Sequence, residues 1–528
     1  MNFTIEKDTP TKQFNKHWQF CVGSGRAELA QRTDYCRQLS RVHKELGIKR
    51  VRFHGIFCDD MHTLHSLKDV MAIPGARRFT EQSFRFCGLV YDNVMDCGMQ
   101  PFVELSFMPS MLASKNKRGL FFYKPNISMP KSDTAWESYI KDFIRFLLRR
   151  YGKQEVHDWF FEVWNEPDLK IAFFAGTQAD YFHLYEMTAR AIKSVDADIP
   201  VGGPSTSGSR WVEEFTNYCK KREIPLDFVT THQYAGDPLG GVNEQGDTNE
   251  AFNIKIITRL LRALKGKPDG TVLEGTRILM RDKSETEDID SDTFAKVAPI
   301  VKKQALGLPV YYTEWNCNAT FSAYTNDTRK VAAYDVKTAL AIEDYVTGSS
   351  IWCFSDIFEE LHPFPEEFHG GFGMLSQSGI PKPIYHAMKL LGEVGEKRYI
   401  LPGALDGEIG MAAFRGDTGI QTVLFRQKMK NLELPAQTAT VAIAVDKQPS
   451  SVTVRKITEE HGNPLKLWED VGSNPDLTPA EAADITKRSE VKAEPLEHRY
   501  KDGKLFFEVS LFVNDLWFIS VDNCHDIW

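Results

Sequence analysis

The chain has 528 residues, of which 42% are hydrophobic and 26% charged, and its formal net charge is -8. This length allows a large core and a second domain, and the composition is that of an ordinary soluble globular protein. The acidic balance argues against nucleic acid and anionic membranes as main partners. The sequence has no apolar run long enough to span a membrane, and residues 1–8 lack the basic and apolar regions of a secretion signal.

The nine cysteines are odd in number and scattered, without the spacing of a metal site. Cys58, Cys317 and Cys353 each lie close to the end of a predicted strand, where a free thiol is more plausible than a disulfide. Because disulfides are rare in reducing compartments, we expect a cytoplasmic protein.

Strand-like and helix-like runs alternate from about residue 19 to residue 391. Short aromatic and β-branched runs predict strands at Gln19–Gly23, Arg50–His54, Pro101–Ser106, Trp159–Asn165, Pro200–Pro204, Phe228–His232, Val310–Glu314 and Ser349–Phe354. Apolar residues at helical spacing predict helices at Phe84–Met95, Trp136–Arg150, Ala179–Val195, Val331–Tyr345 and Ile384–Leu391. This alternation predicts an α/β fold, a (β/α)8 TIM barrel over residues 16–395. A doubly wound sheet is the main alternative, but no glycine-rich phosphate loop follows the first strand.

An insertion at about 235–293 follows the sixth predicted strand and is too long for a plain connection. It contains a predicted helix over 254–264 and a densely charged stretch at 281–292. It is either a solvated insertion or a wall of the site, because it leaves the barrel on the side that carries catalysis.

Beyond residue 395 the pattern changes to alternating or apolar runs. These predict antiparallel strands at Ile420–Arg426, Thr438–Val445, Ser451–Ile457, Leu505–Leu511 and Leu516–Val521, with a helix at Pro479–Arg488. We predict a β-sandwich domain at residues 396–528, and residues 1–15 are candidates for an additional edge strand.

Two glutamates close similar buried strands in distant parts of the chain. Glu166, between Asn165 and Pro167, follows the fourth predicted strand, and Glu314, followed by Trp315, ends the seventh. Either glutamate alone fits a structural role at a strand end. Two carboxylates delivered in this way are the minimum needed to cleave a glycosidic bond.

Further polar and aromatic residues lie at predicted strand ends, where a barrel places its functional side chains. They are Arg52, His54, Asn165, His232, Tyr234, Trp352, Asp356, Glu359 and Glu360. A single histidine would more often be structural, but this shared position favours function. Arg52 and Tyr234 are candidates for keeping Glu314 ionised, as a nucleophile must be.

Several of these stretches resemble family 39 of the glycoside hydrolases, the β-xylosidase and α-L-iduronidase family. They are Val51–Phe57, Trp164–Leu169, Thr313–Asn316, Ile351–Glu360, Gly371–Gly373, Gly379–Pro383 and His461–Asn463. The resemblance spans most of the chain, and the stretch after the eighth strand is most similar to bacterial β-xylosidases.

The resemblance implies a retaining exo-glycosidase with Glu166 as acid/base and Glu314 as nucleophile. Asn165 would contact the sugar 2-hydroxyl. His54, Phe173, His232, Tyr234, Trp352, Asp356, Glu359 and Glu360 would line the pocket for the terminal sugar. The implied substrate is a xylo-oligosaccharide or another β-xyloside, the implied assembly a dimer or tetramer, and neither a metal nor a cofactor is needed.

Other activities remain open at this stage. An α-L-iduronidase would need a cation for the sugar carboxylate, whereas Asp356, Glu359 and Glu360 would repel it. β-Glucosidase, β-galactosidase and α-L-arabinosidase activities differ from xylosidase activity in pocket dimensions that sequence does not measure. A non-catalytic carbohydrate-binding barrel is disfavoured because both glutamates are present.

Overall fold

The computed structural model describes residues 1–71, 73–235, 290–317, 323–360, 364–417, 419–430 and 432–524, together with residues 265, 270, 271, 274, 275, 319 and 321. Eight parallel strands close into a barrel in chain order. The barrel strands, first to eighth, are Cys21–Arg26, Arg50–His54, Gln100–Leu105, Phe160–Val163, Val201–Thr206, Phe228–Tyr234, Val310–Asn316 and Gly348–Ile351. The predicted (β/α)8 barrel is therefore confirmed.

Helices follow or precede the barrel strands and cover them from outside. They are Thr33–Leu46, Arg85–Asp96, Asp133–Tyr151, Lys153–His157, Gln178–Val195, Val212–Arg222, Thr293–Gln304, Arg329–Ile342 and Pro383–Gly392. The first, fourth, sixth and seventh of these have no counterpart among the predicted helices. The helix at Thr33–Leu46 buries Tyr35, Leu39, Val42 and Leu46, at the spacing of one helical face.

The eighth barrel strand is shorter than predicted. It ends at Ile351, although the Trp352 and Phe354 amides still donate to the Trp315 and Gly23 carbonyls of the neighbouring strands, and the chain also pairs with a later segment. The Cys353 amide donates to the Phe372 carbonyl, and the Leu375 amide donates to that of Phe354. The residues after the strand therefore form a loop fixed at the carboxyl end of the barrel.

The insertion predicted at about 235–293 lies mostly outside the described residues, as does its helix over 254–264. Its role in shaping the site remains a prediction. A small hairpin of Leu64–Ser66 and Thr80–Gln82 projects after the second barrel strand.

Two antiparallel-rich sheets follow the barrel. The four-stranded sheet contains Asn2–Ile5, Gln437–Ala444, Lys504–Leu511 and His498–Lys501. The seven-stranded sheet contains Glu494–Pro495, Ser451–Ile457, Leu516–Asp522, Ile420–Phe425, Gly410–Arg415, Lys397–Tyr399 and Thr11–Gln13. Helices at Pro464–Asp470 and Pro479–Arg488 interrupt them.

Both sheets contribute to one buried apolar cluster, which includes Val441 and Phe507 from one sheet and Met411 and Ile519 from the other. This packing is that of a sandwich. The N-terminal segment adds an edge strand to each sheet, through Asn2–Ile5 and Thr11–Gln13. The domain limits 16–395 and 396–528 stay predictions. Among the described residues, no helix has both the length and the apolar character needed to cross a bilayer.

Candidate active site

The segment after the fourth barrel strand holds Glu166 in an unusual backbone conformation. Trp164 and Glu166 have φ angles of 73° and 40°, in the left-handed region that non-glycine residues rarely adopt. The Glu166 amide donates to the Ser205 carbonyl at 2.8 Å, and Asp168 accepts hydrogen bonds from the amide and hydroxyl of Ser207. Such strain persists only where neighbours fix it, and here the following strand does so.

Glu314 lies on the seventh barrel strand with its carboxylate held by two donors. Arg52 donates from Nη1 to Oε1 at 2.8 Å, and the Tyr234 hydroxyl donates to Oε2 at 2.9 Å. Arg52 and Tyr234 therefore both contact Glu314, and their role in keeping it ionised stays a prediction. Glu314 is 5% exposed, so these donors replace solvent around nearly the whole carboxylate.

The pKa of Glu314 reflects opposing influences. Burial raises the pKa of its carboxyl above the usual glutamate value, while Arg52, His54 and the Tyr234 hydroxyl lower it. Burial and then the charge of Glu314 raise the pKa of Tyr234 well above its usual value, so this phenol remains a hydrogen-bond donor. Glu314 is therefore the group whose deprotonation we expect to set the acidic limb of activity.

Glu166 faces Glu314 with His232 between them. Nδ1 of His232 lies 3.0 Å from Oε1 of Glu166 and 3.6 Å from Oε2 of Glu314. A carboxylate oxygen from each glutamate and a ring nitrogen of His232 all lie within 4.8 Å of one another. Burial, then the charges of Arg52 and His54, lower the pKa of His232 well below its usual value, so its imidazole is neutral. A neutral imidazole offers one donor and one acceptor and can serve Glu166 in either protonation state.

Arg52 is the centre of a buried ionic network that sequence reasoning found only in part. Besides Glu314, its guanidinium contacts Glu162 at 2.6 Å, Glu104 at 2.8 Å and the Asn165 amide oxygen at 2.9 Å. Because a guanidinium only donates, this contact leaves the –NH2 group of Asn165 as a donor for a sugar hydroxyl. Glu104 and Glu162 were missed. The available signal was a single acidic residue inside each of two otherwise apolar strands.

His54 forms one wall of the site. Its Nδ1 lies 2.7 Å from Glu104, which orients the ring. Aromatic rings surround it, with centroids 4.8 Å away for Trp352, 5.5 Å for Phe121 and 6.5 Å for Phe173. The expected Trp352 and Phe173 therefore border the same space as His54. Phe121, on the loop after the third strand, was not predicted.

Of the three acids in the loop after the eighth strand, only Glu360 contacts His54, which in turn contacts Glu314. Oε1 of Glu360 lies 3.3 Å from Nε2 of His54, whose same nitrogen is 3.5 Å from Glu314. Burial, followed by the charges of Glu314 and Glu104, raises the pKa of Glu360 well above its usual value. Glu360 is thus positioned as a hydrogen-bonding group near Glu314.

The expectation of a sugar contact from Asp356 requires correction. Its carboxylate accepts from the Gly373 amide at 2.7 Å and pairs with Lys382 at 2.6 Å, and its side chain is fully buried. Lys382 also pairs with Asp327. Asp356 therefore holds the loop in place. Glu359 pairs with Arg32 and is partly exposed, so its contact with substrate stays a prediction.

Two groups among the described residues have donor atoms close enough to hold a metal ion. One is Glu166, His232 and Glu314, and the other is His157, Asp196 and Asp198. In each, a cationic side chain already neutralises a carboxylate, because Arg52 bonds to Glu314 and Lys153 lies 2.9 Å from Asp196. The arrangement of the first group suits acid/base and nucleophilic chemistry by two carboxylates.

Comparison with known proteins agrees with this geometry. The family model for glycosyl hydrolases family 39 matches residues 1–266 and 267–500. A β-xylosidase of Caldicellulosiruptor saccharolyticus is 34% identical over 528 residues, covering 99% of both chains. One from Geobacillus stearothermophilus is 29% identical over 520 residues, covering 98% of this chain and 94% of its own.

Among solved structures, a monomeric β-xylosidase from Caulobacter crescentus CB15 superposes with a TM-score of 0.79 at 27% identity, covering 99% of each chain. The family match includes both the segment that carries Glu166 and the segment that carries Glu314. The chain therefore belongs to family 39 of the glycosyl hydrolases.

Proposed function

We propose that the protein is a retaining exo-β-xylosidase, which releases xylose from the non-reducing ends of β-xylosides and xylo-oligosaccharides. The observation that carries this proposal is the close approach of Glu166 and Glu314, since one carboxylate oxygen of each lies within 4.8 Å of one oxygen of the other. Retaining enzymes hold their two carboxyl groups roughly 5–5.5 Å apart, whereas inverting enzymes need about 6.5–9.5 Å to admit a water. The similarity to proteins named β-xylosidases supports the choice of sugar.

In the first step Glu314 attacks the anomeric carbon while protonated Glu166 gives its proton to the glycosidic oxygen. The carbon–oxygen bond to the leaving group breaks, and an ester forms between the sugar and Glu314. The Tyr234 and Arg52 donors stabilise the carboxylate before attack. The bond from Arg52 to the amide oxygen of Asn165 leaves the Asn165 –NH2 to donate to a sugar hydroxyl.

In the second step Glu166 acts as a base. It takes a proton from water, the resulting hydroxide attacks the anomeric carbon, and the ester to Glu314 breaks. Two inversions give net retention. Neutral His232, 3.0 Å from Glu166, can accept a hydrogen bond from the acid and, as the other tautomer, donate one to the base.

The walls of the site favour a neutral terminal sugar. Glu360 and His54 offer hydrogen bonds to hydroxyl groups, and Trp352 supplies an aromatic surface. The nearest cations are already engaged, since Arg52 contacts several acids and Lys382 bridges Asp327 and Asp356. A uronic acid would meet carboxylates rather than a free cation.

A panel of nitrophenyl glycosides tests the activity. We expect the highest kcat/KM on the β-xyloside, above the β-glucoside, β-galactoside, α-arabinoside and α-iduronide. The first product should be β-xylose by NMR, and xylotetraose should give xylose and xylotriose first. An α-anomer would contradict retention, and early xylobiose without xylose would contradict exo action.

We further propose a reducing compartment such as the cytoplasm. All nine cysteines are free, and eight of them are buried. Oxidised proteins of this size usually pair such residues. Titration of thiols in the denatured protein, purified without reductant, should find nine. The expected dimer or tetramer also stays a prediction, and the Caulobacter crescentus relative is described as monomeric.

A further inference from the structure

A second cavity, of about 730 Å3, lies where the barrel meets the C-terminal sheets. Its walls come from residues 432–434, from residues between 456 and 461, from the connection between the two sheets at 510–517 and from Arg329, the first residue of a barrel helix. This volume is within the range of small-molecule sites, which often form at such junctions. The cavity shares no lining residue with the catalytic cluster described above.

Large apolar side chains line this cavity and remain exposed to solvent. Phe512 is 55% exposed, Leu432 42% and Leu434 36%. Trp517 forms part of the wall, with the ammonium group of Lys456 4.8 Å from its ring centroid. Clustered apolar exposure of this kind marks a binding surface more often than a solvated face. The C–H face of a pyranose ring is a ligand that an exposed aromatic ring accepts.

The exposed Phe512 ring is presented by a rigid turn. The Phe512 amide donates to Oδ2 of Asp515 at 3.0 Å, and the Asp515 amide donates to the Phe512 carbonyl at 3.2 Å. Arg329 pairs with Oδ1 of the same carboxylate at 3.2 Å. Because the turn is ordered before any ligand arrives, binding would not have to fix it.

The polar groups of the cavity favour a neutral ligand with many hydroxyls. Three exposed glutamates, Glu433, Glu459 and Glu460, belong to its lining. The lining Arg329 pairs with Asp515 and with Glu459, and the lining Lys456 pairs with Glu494. Carboxylates accept hydrogen bonds from hydroxyls and repel phosphates and uronates.

We propose that this cavity is a second sugar-binding site, which holds a neutral xylo-oligosaccharide outside the catalytic centre. The choice of xylose rests on the proposed function, while the class of ligand rests on the exposed Phe512 ring and on the glutamates of the lining. The site would keep oligosaccharide chains near the enzyme between rounds of cleavage.

Calorimetric titration with xylohexaose tests the proposal, using the full chain with Glu314→Gln to prevent turnover. We expect two binding sites per chain, and one after Phe512→Ala is added. Ile400→Ala, which truncates another exposed apolar side chain of the C-terminal region, is the matched control and should retain both. In the active enzyme, Phe512→Ala should change kcat/KM for nitrophenyl β-xyloside by less than twofold.

The outcomes separate the two proposals. One site before and after Phe512→Ala would overturn the second site and leave the catalytic proposal intact. One site that Phe512→Ala abolishes would support the cavity and contradict xylose binding at the catalytic centre, and no binding at all would contradict both. If sedimentation instead shows a dimer that Phe512→Ala dissociates, the cavity is an interface between copies of this chain.

Discussion

The two ends of the barrel interior are filled in opposite ways by the same strands. At the amino ends, Phe102, Phe228 and Tyr311 form a buried aromatic cluster with Phe20 and Phe160 packed against it. At the carboxyl ends, Arg52, Glu104, Glu162 and Glu314 form a buried ionic network. The amino end is closed by apolar packing. The carboxyl end contains buried charges that are stabilised by pairing with one another.

The change from aromatic to charged side chains occurs within two residues along the third and fourth strands. Phe102 and Glu104 point inward on the third strand, and Phe160 and Glu162 do so on the fourth. Side chains of a barrel stack in layers, so each such step moves from the aromatic layer to the charged one. The comparison predicts that changes at the amino end affect stability, while changes at the carboxyl end affect catalysis first.

The largest effect should come from removing the nucleophile. Glu314→Ala should lower kcat by about 10⁵-fold or more on every substrate, because no glycosyl-enzyme can form. Glu166→Ala should depend on the leaving group, with the smallest loss for activated aryl glycosides, which depart without protonation. Kinetics across a series of aryl β-xylosides would measure both.

Azide provides the control that separates these two roles. Added azide should restore turnover of Glu166→Ala by attacking the glycosyl-enzyme, and the product should be a β-glycosyl azide. Rescue of Glu314→Ala to an α-glycosyl azide would show that the roles are reversed.

A second contrast uses two arginines on one strand. Arg52→Met should lower the free energy of unfolding by about 3–5 kcal/mol, because it leaves Glu104, Glu162 and Glu314 without their cation. Arg50→Met removes stacking on Phe20 and Phe160 and a hydrogen bond to the Asp158 carbonyl at the amino end, and should cost about 1–2 kcal/mol.

Urea unfolding followed by fluorescence would measure the difference. If Arg52→Met does not fold, Arg52→Lys can replace it. This variant retains a charge, so its loss in free energy of unfolding should lie between the losses expected for Arg50→Met and Arg52→Met. Equal losses of unfolding free energy at positions 50 and 52 would mean that ion pairing stabilises the carboxyl end no more than stacking stabilises the amino end.

Much of the barrel could be predicted from sequence because each strand is a short buried run. The second strand, Arg50–His54, has the predicted bounds. The catalytic cluster was predictable where polar residues stand at strand ends, and the structure brings Arg52, Tyr234 and His232 to Glu314.

The remainder depends on contacts that a sequence does not display. Asp356 and Glu360 are both acids of one loop, yet only the structure shows that Asp356 forms a buried ion pair with Lys382. Glu104 and Glu162 lie inside strands, where an isolated acid gives no indication of its partner. Their function follows from the closure of the barrel, which places both beside Arg52.

The third prediction concerns the pH profile. Tyr234→Phe removes a hydrogen bond that lowers the pKa of Glu314, so that pKa should rise. Activity is lost as the pH falls through the pKa of the nucleophile, and the acidic limb of kcat/KM should therefore move to higher pH. We expect a loss of about 1.5–3 kcal/mol in transition-state stabilisation, as for a hydrogen bond to a charged group.

Tyr311→Phe is the matched control, because it removes a tyrosine hydroxyl from the amino end of the same barrel. Its acidic limb should coincide with that of the native enzyme. A shift in Tyr311→Phe, or none in Tyr234→Phe, would contradict a direct effect on Glu314.

The smallest expected effect directly tests the difference between the aromatic layer at the amino ends and the charged layer at the carboxyl ends of the strands. Phe102→Leu should lower the free energy of unfolding by about 1–2 kcal/mol, because a fully buried ring is replaced by a smaller side chain. Its kcat/KM should stay within twofold of native. Glu104→Gln, two residues further along the strand, keeps the shape but removes the charge that orients His54 at 2.7 Å, and should lower kcat/KM by about tenfold or more. Kinetics measured on both variants should show the loss in Glu104→Gln alone, and a catalytic loss in Phe102→Leu equal to that of Glu104→Gln would show that the two layers are not independent.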